Sequence, residues 1–500
     1  MVGMFHAGAR PSLVAKGAAA AGLVALADLF FFDHPPGFTL GAFALALVLA
    51  LAAVQPAMIR DRRALAFLAG AFVMGLVMID QPTFTGWLLF GILIGMASLS
   101  PRAGPRDDAW RWFQRLFWQP MIGSVGPLLD LLKLTKKKMR ASRLPIVRLV
   151  AVLMVPLLGG LLFLGLFAAA NPVIADLLSS LGRPDIDIGR VIFWGVFFVV
   201  VWAVLRPRFL RHPLPTPGAR GDSRLPGVNL ASVTLSLLVF NALFALQNGL
   251  DIAFLWSGAR LPEQFTLAQY VHAGVFPLMA SALATAVFVL VALRPGSEIT
   301  ASPLVRLLVG VWVAQNLFVV ASSAYRMWLY VESYSLTRMR ILVLIWMALV
   351  AIGLVAILWR SLKGASSGWL LNLNAQAFLL ALFGLSVVDI GAVAAQWNLS
   401  HARDINGRGV ELDVCYLSRL EDAALIPILE VERRPLSPRL RAALATVRAE
   451  AAARIERRHA QWQGWTWRGQ RRLEAAYRMA GPLAAARPTG ATYCSSYEMD

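Results

Sequence analysis

The chain has 500 residues, 58% of them hydrophobic and 15% charged, with a mean hydropathy of +0.64. Soluble domains carry about a quarter charged residues, so the row of soluble domains that length alone would suggest is excluded. The net charge of +19 raises nucleic acid as a partner, but the basic residues cluster in loops between apolar runs, as cytoplasmic loops of membrane proteins do, and nucleic-acid binding is not expected.

Apolar runs of about 20 residues recur along the first four-fifths of the chain, each long enough to cross a hydrocarbon core as a helix. Lipid offers the backbone no partners, so such runs must close their hydrogen bonds internally. In chain order they predict eleven spans, at 14–32, 38–58, 63–80, 84–100, 147–170, 189–206, 229–249, 273–293, 303–323, 340–360 and 369–391. Arg10 and Lys16 precede "GAAAAGLVALADLFFF", and Ala25-Leu26-Ala27 resembles a signal cleavage site. More spans follow at once, so an uncleaved first helix is expected.

Loops 59–63, 101–148 and 206–224 are basic; the second carries eleven Lys or Arg against three acids. All three fall on one side if the N-terminus is cytoplasmic. Such loops attract anionic lipid headgroups, so the bilayer itself is an expected partner. The opposite side receives "DHPP", "DQPT", "NPVIADLLSSLGRPDID" and "LDIAFLWSGARLPEQFT", which are acidic or near neutral. An odd span count sends the C-terminal tail to that outer side; one miscounted span, most easily at 325–340, returns it to the cytoplasm.

The loop sequence "DDAWRWFQRLFWQPM" puts Trp110, Phe113 and Phe117 at helical spacing with Arg111 and Arg115 interleaved. It predicts an amphipathic helix in the membrane interface. The fold expected is therefore all-α: a polytopic bundle of about eleven spans over 1–396 and a soluble, mostly helical tail over 397–500. In that tail Ser437 suits an N-cap and Pro438 a first helical turn, and "QWQGWTWRGQRRLEAAYRMA" predicts a further helix. Residues 486–500 are expected to fray.

No Walker A loop, HExxH, GxSxG or strand-borne GxGxxG occurs. The six histidines, His6, His34, His212, His272, His401 and His459, never pair at metal-ligand spacing, so no metal and no cofactor is expected. Cys415 and Cys494 form no CxxC, which excludes a cysteine zinc site. A disulfide stays open if the tail faces an oxidising compartment; two unrelated thiols are the expected state. Gly91 and Gly95 form a lone GxxxG, read as local packing.

Ionisable residues at membrane depth cost about 2.5–3.5 kcal/mol each on insertion scales and usually find partners in the bundle interior. Asp28, Asp251, Arg326 and Asp389 all fall near the outer boundary in the predicted topology, with Asn241, Gln247, Asn248, Gln315 and Asn316 close in sequence. Arg326 is expected to pair with one of these aspartates or with an anionic ligand. Tyr330 and Tyr334, one and two turns on, extend the same face. Glu332 is expected to pair with Arg338 or Arg340. The competing explanation is structural, with charges pinning helix ends to the interface. In "YRMWLYVESYSLTRMR" that explanation reads a helix end, a turn, and Ser335 or Thr337 capping the next span.

Four stretches carry a likeness to a known family: "ADLFFFDHPPGFTLGAF", "LFALQNGLDIAFLWSGARLPEQFTLAQYVHAGVFPLM", "SSAYRMWLYVESYSLTRMR" and "WNLSHARDINGRGVELDVCYLSRL". The last includes Asn398, Asp413, Tyr416 and Leu417. In this order, over about residues 20–480, they resemble a bacterial multi-pass membrane family defined only as a domain of unknown function, the 4153/4173 group. The resemblance implies architecture and membrane location and brings no activity. Two positions depart from it: Ser335 stands where the family has Gly, and Thr466 where it has Asn.

Three function classes follow. The first is a non-catalytic signalling or scaffold component of the bacterial inner membrane, and an enzyme is not the leading expectation. The second is a transporter or ligand-binding membrane protein using Arg326, Asp28, Asp251, Asp389, Tyr330 and Tyr334 near the outer face. The third is a membrane enzyme on lipid-linked substrates with Asp28, Asp251 or Asp389 as base.

Overall fold

The structure is a computed structural model. It describes residues 13–104, 107–130, 187–210, 213–216, 229–257 and 301–481, with isolated positions within 159–174 and 280–288. Among these, eight helices are long and apolar enough to cross a membrane, and the shorter apolar helix Thr39–Val54 adds to them. The spans expected at 147–170 and 273–293, and the fraying end, lie wholly or largely outside the described residues. The chain divides into two compact units, the first of residues 1–105, 112–213 and 461–466, the second of 106–111, 214–460 and 467–500.

In the first unit, α1 (Leu13–Phe31) packs on α2 (Thr39–Val54). After the short α3 (Ala57–Arg60), α2 packs on α4 (Arg62–Asp80), and α4 on α5 (Phe84–Leu99). Asp61 caps α4 and Thr83 caps α5, each accepting from a backbone N–H of the first turn. Small residues let backbones meet: a side chain on Gly41 would strike the Gly75 carbonyl at 2.5 Å. Of the GxxxG pair, Gly95 lies against Leu116 while Gly91 faces open space. α7 (Ile188–Leu205), capped by Asp187, closes on α1, and Phe31, Phe43 and Phe197 form an aromatic contact among α1, α2 and α7.

The expected interfacial helix is α6 (Ala109–Ser124). Its polar side is turned inward, with Gln114, Arg115 and Gln119 buried, while Phe113, Phe117, Trp118 and Met121 are exposed. Such a polarity suits a helix whose outer side meets acyl chains.

The turn 461–466 belongs to the first unit and lies on the α1–α2 loop. Phe38 N–H donates to the Trp465 carbonyl at 2.6 Å, and the Thr39 hydroxyl to the Gln463 carbonyl at 3.3 Å. Gly37 is required by this approach, since a Cβ there would stand 2.3 Å from the Gln463 carbonyl oxygen.

In the second unit α8 (Leu230–Asp251), continued by a π-helical turn Ile252–Trp256, packs against α9 (Pro303–Tyr334). Asn241 donates to the Leu308 carbonyl at 3.1 Å and Asn248, one heptad on, to the Gln315 carbonyl at 3.2 Å. Both pairs are 67 positions apart, so the two helices run parallel. Apolar side chains such as Leu235, Leu243 and Leu246 are exposed, while Asn248 and Asp251 on the same helix are buried. This is the inside-out arrangement expected where lipid is the outer solvent.

α9 runs to Tyr334, well beyond the predicted end at 323. Its last turn is held by the tail: Val331 and Leu336 share a core with Leu399, Leu417, Ile428 and Leu444. The chain then turns at Ser335, at φ 68°, into α10 (Arg338–Lys363), capped by Thr337. α11 (Ser367–Val387) follows and packs on α10. Asp389 caps α12 (Ile390–His401); α13 (Arg403–Asn406), α14 (Val414–Arg419), α15 (Leu425–Glu432), α16 (Pro438–His459) and α17 (Trp467–Ala480) complete the tail. Ser437 caps α16 with Pro438 in the first turn, as expected. One expectation is corrected: Cys415 is disulfide-bonded rather than a free thiol.

Candidate functional site: arginine-held carboxylates

The parallel register of α8 and α9 brings Asp251 and Arg326 together. Asp251 ends α8, where the switch to π-helical winding turns the helix face. Arg326 leans toward the N-terminus of its own helix, as long helical side chains do. The two form an ion pair with side-chain exposures of 0% and 2%. Gln247 Nε2 donates to Asp251 Oδ1 at 3.0 Å, and the Trp256 indole donates to the Ser322 hydroxyl at 3.1 Å while stacking on Tyr325. Nearly three turns before Arg326 on α9, Asn316 donates to the Trp312 carbonyl and accepts from the Thr285 hydroxyl. The result is a buried polar seam along α8 and α9.

The Tyr330 and Tyr334 rings meet at 4.7 Å, tilted by 38°, and the Arg340 guanidinium lies over the Tyr330 ring at 4.4 Å. Glu332 does not pair with Arg338 or Arg340 in the described contacts; it accepts from the Trp328 indole at 2.8 Å, because Trp328 stands one turn below it on the exposed side. Arg340 donates to the carbonyls of Tyr334 and Ser335, tying the turn to the start of α10.

That turn is read by the tail. The Asn398 side chain makes two bonds to the Leu336 backbone, accepting from N–H at 2.7 Å and donating to C=O at 2.9 Å. The Tyr416 hydroxyl accepts from Arg338 N–H at 2.7 Å, Arg338 reaches the Leu420 carbonyl, and Asp413 caps the helix bearing Tyr416.

Asp389 is held by Arg472 from α17, with Arg468 at 3.9 Å. Arg472 also reaches Asp422 at 3.3 Å, and Arg458 reaches the same carboxylate at 3.2 Å. Burial pushes the Asp389 carboxyl up, but the charge and hydrogen bond of Arg472, aided by the Ala392 N–H and Arg468, outweigh it and hold the group below its ordinary value.

Asp28 lies in the first unit. It is gripped by Arg190 through two nitrogens and accepts from the Trp194 indole at 2.8 Å. Each of the three candidate aspartates therefore has its own arginine: Arg190, Arg326 or Arg472. Sequence reasoning named one of these and missed Arg190, Trp194, Arg472 and Asp422. For Arg190 a signal existed, since the expected topology puts it at the start of the sixth predicted span, on the side where Asp28 ends the first. For Arg472 none did, because helices of the tail carry many exposed arginines.

Among the described residues no cluster of three or more His, Cys, Asp or Glu could hold a metal ion. Apolar outer surfaces, a polar inner seam and paired intramembrane charges define a multi-pass α-helical membrane protein. Residues 64–431 match the model of the domain of unknown function DUF4153, well over half of the chain, and the chain belongs to that family. No curated protein and no solved structure matches it.

Proposed function

We propose that this chain is a non-catalytic signalling or scaffold component of a bacterial inner membrane, with its N-terminus in the cytoplasm and its helical tail, 397–500, on the outer side. The observation carrying the reading is the pairing of each candidate carboxylate with an arginine, which suits holding helices and tail in place better than abstracting protons. Sidedness rests on the 461–466 turn lying on the α1–α2 loop, one span away from the N-terminus. Disulfide-bonded Cys415 agrees with an oxidising outer compartment. Nine described apolar helices and the two spans expected at 147–170 and 273–293 make eleven, the odd number this sidedness needs.

The test replaces Asp28, Asp251 and Asp389 singly by Asn in cells where loss of the chain has a phenotype. A scaffold's phenotype follows folded abundance in every variant. A variant at full abundance that lacks function overturns the reading in favour of an enzyme or a ligand site. Alkaline phosphatase fused after residue 481 should be active; an inactive fusion at normal abundance rejects the outer tail.

A second reading, a transporter or ligand-binding protein, is favoured by a specific feature of the same seam. Asn248 Oδ1 and Ser323 Oγ are buried and meet no hydrogen-bond partner among the described residues. Water or a small polar ligand beside each of these atoms would satisfy it, in the same seam that holds the Arg326–Asp251 pair.

A further inference from the structure

One end of the first unit gathers positive charge from segments far apart in sequence. Arg102, just past α5, donates to the Pro207 carbonyl at 2.8 Å, which brings it beside the end of α7. There Arg206 and Arg208 flank Asp130, at 2.9 and 3.0 Å, and the Trp202 indole also donates to that carboxylate. Arg63, opening α4, reaches the Gly104 carbonyl at 3.4 Å. Lys16, in the first turn of α1, is within electrostatic reach of Arg206, Arg102 and Asp130. Lys16, Arg102, Arg206 and Arg208 thus gather about one buried acid, which is 3% exposed and already shared by two of them, while Arg63 has Asp61 beside it at 4.0 Å. Like charges gathered at the edge of a low-dielectric slab repel, and a bound anion offsets the repulsion.

Beside this cluster lies α6. Its inner side is fastened to the same helix ends: Gln119 donates to Ser98, Gly123 abuts Ala203, and Arg115 lies over the Phe209 ring at 4.3 Å. Its outer side offers Phe113, Phe117, Trp118 and Met121, 45–58% exposed. Cationic heads next to an apolar ledge match the two halves of one molecule, an anionic phospholipid.

We propose that Lys16, Arg102 and Arg206 bind the phosphodiester headgroup of an anionic phospholipid whose acyl chains lie along the exposed side of α6. This gives the expected lipid partner a defined seat. It does not depend on the scaffold reading, since it concerns the first unit and its own cations.

The experiment uses the full chain purified in a mild detergent and exchanged with phosphatidylglycerol, phosphatidylcholine or inorganic phosphate, with bound lipid counted by native mass spectrometry. Phosphatidylglycerol should be retained at least tenfold better than phosphatidylcholine, and free phosphate should not displace it. Lys16→Gln and Arg102→Gln should each weaken retention roughly fivefold, the worth of one cation near a charged interface. Both substitutions leave the Asp130 pairs in place, and Lys363→Gln, a basic position at another helix end, should change nothing. Equal retention of the two lipids, displacement by phosphate, or wild-type retention in the Lys16/Arg102 double variant would each overturn the proposal.

Discussion

Asp251 and Arg326 meet as a fully enclosed ion pair although 75 positions separate them. Taking away one member strands the other charge in an interior that has excluded water, at a cost of about 3–5 kcal/mol. Arg326→Ala and Asp251→Ala should therefore both lose abundance and unfold at lower denaturant in micelles. Replacing both by Leu should be milder than either single change, because no orphan charge remains. Single variants as stable as the parent would show that the pair does not hold α8 to α9.

Acid should loosen the tail. The Asp389 carboxyl lies below its ordinary value in the folded chain, so its contribution is complete above the unfolded value of about 4 and fades as pH falls through the lower folded value. Thermal midpoints measured from pH 7 down to 3 should drop at the acid end, and Asp389→Asn should flatten that part of the curve. An unchanged acid limb in Asp389→Asn would mean that other carboxylates govern it.

Ser335 holds φ 68° and ψ 168°, a region nearly reserved for glycine. Ser335→Gly should raise stability by about 1 kcal/mol, seen as a higher unfolding midpoint with the α9–α10 turn retained. A loss of stability would indicate that the Ser335 side chain contributes more than the backbone strain costs. The family-like Gly at this position is thus the less strained choice.

Gly37→Ala should release the 461–466 turn. The added methyl would stand 2.3 Å from a backbone carbonyl oxygen, and backbone cannot yield as a flexible side chain can. Limited proteolysis should cut between 461 and 466 faster in the variant, while the helices α1 and α2 remain protected. Equal cleavage rates would show that this contact does not hold the turn in place.

Helices were legible because lipid leaves the backbone a single solution: an apolar run of sufficient length must satisfy itself. Caps at Ser437 and Thr337 were equally local, each needing only an oxygen three residues before a free N–H. The end of α9 was misjudged for a reason of another kind. Tyr325–Tyr334 looks too polar for a span, and it stays helical because the tail buries Val331 while Asn398 binds the backbone at Leu336. The π-helical turn after Asp251 likewise has no local signature.

What the residues alone decided was the solvent: a chain this apolar, with its cations in loops, belongs in a bilayer, and its few intramembrane charges must find partners. Which partners they find was decided only by tertiary packing. The stretch around Ser335 meets the one around Asn398 and Tyr416, and the loop before α2 meets the turn at Gln463. Periodicity reports which side of a helix avoids lipid; it carries no information about which distant helix will stand there. Only close packing of whole helices brings Arg190 to Asp28, Arg326 to Asp251 and Arg472 to Asp389.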